Sequence, residues 1–168
     1  IHNFISTAKD ALQIKERVTS LFVRVGRIQF LILSLVSSGI VFYGKQFITE
    51  FWAGKDYTES YYVLLLLILP ATIPLMQNIG IEVQRAQNKH QFRSVVYLLM
   101  AVINLTLSVV MSKRYGAVGA AAGTAISLLI ANGILINIYY HKKCNIDILL
   151  FWKNIIGMLK GLILPIIF

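Results

Sequence analysis

Charged residues make up only 14% of this 168-residue chain, where a soluble domain carries about a quarter. So few charges cannot cover the surface of a water-soluble fold of this length. Cysteine is nearly absent. Cys144 stands alone, which excludes an intrachain disulfide framework and a cysteine metal cluster. Acids are scarce too, and none falls inside an apolar run except Glu82, at the edge of one. The buried carboxylate that a proton- or sodium-coupled exchanger normally uses is therefore missing from the visible spans. The histidines His2, His90 and His141 lie in separate connectors. No Ser–His–Asp grouping, metal-ligand spacing or phosphate loop forms around them. We expect no catalytic residue, no metal site and no cofactor.

What the chain has instead is apolar length. Hydrophobic residues reach 57% and the mean hydropathy is +0.71, which places the chain in the membrane class. Crossing the hydrocarbon takes about 20 apolar residues as a helix. Runs at 28–43, 61–83, 94–111 and 117–140 meet or approach that length, and a fifth, 154–168, stops inside an apolar stretch. The expected fold is an all-α integral membrane bundle over 28–168, with four complete transmembrane helices and a truncated fifth. Both ends read as cut, so the chain is expected to be a fragment of a longer protein.

The net charge of +9 would suit nucleic acid, but the positions of the bases argue otherwise. Lys and Arg concentrate in cytoplasmic loops. Lys9, Lys15, Arg17, Arg24, Arg27, Arg85, Lys89, Arg93, Lys142, Lys143 and Lys153 fall on one side of the runs, against Lys45, Lys55, Lys113 and Arg114 on the other. Topology thus accounts for the basic excess, and the N-terminal end is expected in the cytoplasm. Segment 1–27 shows apolar residues at helical spacing, including Phe4, Ala8, Val18, Phe22 and Val25. Two readings stand for it: an amphipathic helix on the inner leaflet, or the cytoplasmic end of a membrane helix.

Several polar or unusual residues interrupt the runs. Pro70 and Pro74 remove backbone hydrogen bonds and are expected to kink the second run. Gln77 and Asn78 follow the kink, with Glu82 beyond; Asn104 lies in the third run, and Asn132 and Asn137 in the fourth. Each amide either bonds a neighbouring helix or lines a polar cavity. Gly116, Gly119, Gly123 and Ser127 form a stripe of small residues suited to close helix packing. Lys160 is a substrate candidate inside the fifth run, although seven residues past Lys153 is about 10 Å and snorkelling would also explain it. Phe47, Phe51, Trp52 and Tyr57 fill the connector between the first two runs and read as an outer interfacial aromatic anchor.

The stretch "GKQFITEFWAGKDYTESYYVLLLLILPA", the turn "RAQNK" and the helix start "YGAVGAAAGT" together carry a resemblance. From about Asp10 onward the chain resembles the C-terminal part of a polysaccharide flippase. That family shares a superfamily with multidrug and toxin extrusion exchangers and lipid II flippases. The resemblance implies two lobes around a central cavity, this piece forming much of the second. It implies transport of lipid-linked oligosaccharides across a bacterial plasma membrane by alternating access, with the missing N-terminal lobe as partner. The cavity of such proteins is rich in charge, whereas amides predominate here, so cationic contacts would come from the missing lobe or from Arg85 and Lys160. A cation-coupled drug exporter of the same superfamily and a non-transporting membrane subunit remain the alternatives.

Overall fold

A computed structural model of the chain describes residues 11–89 and 91–167. The expected helical start at Phe4 and Ala8, as well as His2 and His90, lie outside them. Among the described residues every regular element is helical. Helix α1 spans Ala11–Gln46, α2 Thr58–Met76, α3 Ile79–Ala86, α4 Gln91–Leu128, α5 Ile136–Lys143 and α6 Ile148–Ile167. Three helical stretches among the described residues are long and apolar enough to cross a membrane: Gln13–Trp52, Lys55–Met76 and Gln91–Lys143.

α1 runs without interruption across position 27, so the described part of the basic segment and the first apolar run belong to one helix. It widens into a π-type turn at Phe47–Trp52 and stops where the amides of Ala53 and Gly54 both reach the Ile48 carbonyl. In the second apolar run both prolines lie inside a helix. α2 continues through Pro70 and Pro74, and the break comes at Gln77–Asn78. There the hydrogen bonds tighten from four residues to three, Gly80 N to Gln77 O and Ile81 N to Asn78 O.

The stretch Gln91–Lys143 has 53 residues, about 80 Å of helix against a hydrocarbon core of about 30 Å. It resolves this by folding back at Gly116, whose φ of 58° and ψ of −139° are not helical. The two arms then pack antiparallel. A Cβ on Gly123 would meet Ser108 N at 2.8 Å and Leu107 C at 3.0 Å. A Cβ on Gly119 would collide with the Met111 carbonyl oxygen. The small-residue stripe therefore lets backbone touch backbone, with one correction. Gly116 does no packing, since no atom lies within 4 Å of its would-be Cβ. It makes the turn, in a conformation that side chains disfavour.

The chain divides into two compact units. One contains residues 1–31, 76–90 and 137–168; the other contains 32–75 and 91–136. The first gathers Arg24, Arg27, Arg85, Lys142, Lys143 and Lys153, and its centre is aromatic. Phe22 meets Tyr140 edge-on at 5.6 Å and Phe151 at 4.9 Å, pairs that contribute about 0.5–1.5 kcal/mol each beyond contact area. Gly26 is buried against Phe151, where a side chain would clash. Asp147 starts α6 by accepting from Leu150 N, while its own amide donates to Thr19 Oγ1 at 3.0 Å. In the second unit, Tyr61 Oη donates to Val41 O at 2.7 Å and fastens α2 to α1.

Candidate functional site

The polar residues of the first unit form a seam where the α2–α3 break faces α5. Gln77 Nε2 donates to Asn137 Oδ1 at 2.8 Å, and both side chains are buried. One turn on, Gly80 lies against the Tyr140 ring, which occupies the space a side chain would need. Another turn on, Gln84 is fully buried. Positions 77, 80 and 84 share one helical face, so the seam is a strip of amide, glycine and amide.

The strip is incompletely satisfied. Gln77 Oε1 has no hydrogen-bond partner among the described residues, and the Gln84 amide finds only the Cys144 thiol. Gln84 faces the Cys144 thiol, too weak a donor and acceptor to satisfy an amide. Burial pushes that thiol up to about 11, against opposing pulls from Lys89 and Gln84, so it stays protonated and inert near neutral pH.

The "RAQNK" turn closes the seam. Gln87 Nε2 donates to the Cys144 carbonyl at 3.1 Å and Lys89 Nζ to the Lys143 carbonyl, while Tyr139 Oη donates to Lys89 O at 3.2 Å. The Gln87 and Lys89 side chains satisfy carbonyls at the C-terminal end of α5, and Tyr139 satisfies one in the turn. Asn88 takes a left-handed φ of 53° to make the reversal.

The second unit has two polar clusters. Arg93 Nη2 donates to Tyr97 Oη at 2.5 Å, and Tyr97 Oη donates to the buried Asn132 Oδ1 at 2.7 Å. Asn132 sits in a π-type stretch, Leu129–Leu135, a distortion frequent at functional sites. Further along the hairpin, Ser108 Oγ lies 2.9 Å from Asn104 Oδ1, 3.1 Å from Ala120 O and 3.4 Å from Thr124 Oγ1. Its single proton serves one acceptor at a time.

The candidates are thus distributed unevenly. Gln77 and Asn137 meet each other, and Asn132 and Asn104 each bond within the hairpin. Asn78 is exposed. Glu82 and Arg85 form an exposed ion pair at 2.9 Å, worth little in water. Lys160 is exposed on α6. Phe47, Phe51, Trp52 and Tyr57 are all exposed, with Phe47 stacked on Phe51 and Trp52 at 6.2 Å. Among the described residues no Asp or Glu is buried.

Compared with known protein families, curated proteins and solved structures, the chain matches none. The chemistry of the site therefore rests on its geometry. Neutral amides and hydroxyls offer hydrogen bonds in both directions and no proton transfer near neutral pH.

Gln84, Tyr97 and Tyr140 escaped the sequence reading. Gln84 carried a usable signal, because it stands seven residues from Gln77 with Gly80 between. Tyr97 carried none, since its partner Asn132 is 35 residues away.

Proposed function

We propose that this chain forms much of the second lobe of a multi-pass transporter that carries lipid-linked oligosaccharides across a bacterial plasma membrane. In this reading the N-terminal end faces the cytoplasm, and the remaining lobe belongs to the same polypeptide. The observation that carries the proposal is the half-satisfied amide strip Gln77–Gln84–Asn137 at a helix break. A static membrane subunit gains nothing from it, because a partly satisfied buried polar network is worse than an apolar seam. A protein that alternates between two packings has a use for it, since the spare amide atoms gain partners in the other arrangement. Broken helices are also a recurring feature of transporters.

Two further points support a sugar-lipid cargo. Amides suit hydroxyl-rich sugars, and the absence of a buried acid among the described residues disfavours cation-coupled drug export. The resemblance of the "GKQFITEFWAGK", "RAQNK" and "YGAVGAAAGT" stretches to polysaccharide flippases agrees with both. Deletion of the full-length protein in its host tests the proposal. Loss of surface polysaccharide, with lipid-linked repeat units accumulating inside the cell, is the expected result. Intact polysaccharide with heightened drug sensitivity would overturn it in favour of a drug exporter.

A further inference from the structure

A groove of about 780 Å³ runs between α1 and the first turns of α6, entirely within the first unit. A second hollow, sharing Arg27, Leu150 and Met158 with it, extends it along α6 past Lys153. The wall on α1 is graded. Arg24, Arg27, Ile28 and Leu31 are spaced three, one and three residues apart, so they share one helical face. That face changes from cationic to apolar along the helix axis, and all four side chains are exposed. α6 answers with exposed Leu150 and Lys153. Among the described residues, the side chains of Arg24, Arg27 and Lys153 make no hydrogen bond or ion pair.

We propose that this groove binds one anionic phospholipid of the surrounding bilayer. Arg24, Arg27 and Lys153 hold its phosphate, and an acyl chain lies along Ile28, Leu31 and Leu150. Charge complementarity and the polar-to-apolar gradient both point to that occupant. A free phosphate would have no use for the apolar half, and an acidic peptide or nucleic acid would leave it bare. The groove's acids do not cancel the site. Glu16 and Asp147 are outnumbered by Lys15, Arg24, Arg27 and Lys153. Asp147 sits at the N-terminus of α6, whose dipole offsets part of its charge, and Glu16 is two helical turns from Arg24, about 12 Å away. Basic pockets between membrane helices commonly select anionic headgroups. The proposal is independent of what the protein transports.

The test uses the full-length protein in dodecyl maltoside micelles. Dioleoyl phosphatidylglycerol or dioleoyl phosphatidylcholine is titrated in, and bound lipid is counted by native mass spectrometry. Saturable binding of phosphatidylglycerol alone is expected. An Arg24→Gln/Arg27→Gln double variant should weaken it about 30-fold, from the usual contribution of each base near a lipid surface. A Lys113→Gln/Arg114→Gln variant, which removes equal charge outside the groove, should bind within about twofold of the parent. Should the double arginine variant fail to fold, Lys153→Gln alone should weaken binding about fivefold. Equal binding of the two lipids, equal loss in the Lys113/Arg114 variant, unchanged affinity in the groove variants, or displacement of the lipid by millimolar inorganic phosphate would each overturn the proposal.

Discussion

Replacing Gly123 by alanine adds one methyl group where the two arms of the hairpin meet backbone to backbone. The new Cβ would stand 2.8 Å from Ser108 N and 3.0 Å from both Leu107 C and Ser108 Cα, where ordinary contact begins at 3.4 Å. All three atoms are backbone, so no side-chain rotation relieves the overlap. The arms must separate by several tenths of an ångström along the seam, which also stretches the Ser108–Ala120 link. Overpacking of this kind costs about 1–3 kcal/mol. Gly39→Ala is the matched control: it lies in α1 with nothing within 4 Å of its would-be Cβ. There alanine stabilises the helix by about 0.5–1 kcal/mol. Thermal unfolding of the full-length protein in detergent, followed by tryptophan fluorescence, should show Gly123→Ala melting lower than the parent and Gly39→Ala at or above it. Gly119→Ala should behave like Gly123→Ala. Equal midpoints for Gly123→Ala and Gly39→Ala would refute the close-packed hairpin.

Two other outcomes follow from the first unit. Gln77→Leu and Asn137→Leu should each lower stability by about 1–3 kcal/mol, since each strands a buried partner. The double variant should recover part of that loss in a double-mutant cycle on the same melts, and strict additivity would contradict the Gln77–Asn137 bond. Cys144 should resist maleimide at pH 7.5 in the folded protein and react fully in denaturing detergent. Its pKa is raised from 9.0 to about 11 on folding, so the stability it contributes is complete below pH 9 and is lost as pH rises toward 11. The Cys144→Ala variant should show a shallower fall in midpoint over that range, and an identical fall would argue against the shift.

Much of the architecture was legible because lipid imposes simple rules. Runs of Leu, Ile and Val can only be helices in a bilayer, and a glycine amid a 53-residue apolar helical stretch is where the chain can reverse. The exact role of each glycine was not legible. Gly116 and Gly119 look alike in a stripe, but only the backbone angles separate the turn former from the packing residue. The place of the helix break was not legible either. Pro70 and Pro74 both lie inside α2, and the hydrogen-bond pattern changes three residues past Pro74, at Gln77, whose side chain bonds Asn137. Long-range pairings such as Tyr97–Asn132 leave no mark in a linear pattern. Cys144, read as merely unpaired, proved to sit at the closed end of the amide strip.

Transport itself is decided by reconstitution. The full-length protein is placed in liposomes carrying a fluorescent lipid-linked oligosaccharide in both leaflets, and a membrane-impermeant reductant is added outside. If the protein is a flippase, fluorescence falls to near zero, while protein-free liposomes keep about half of it, the share in the sealed inner leaflet of a bilayer labelled on both sides. Gln84→Leu should slow the second half of the decay without unfolding the protein. Retention of half the signal by the folded wild-type protein would contradict the assignment.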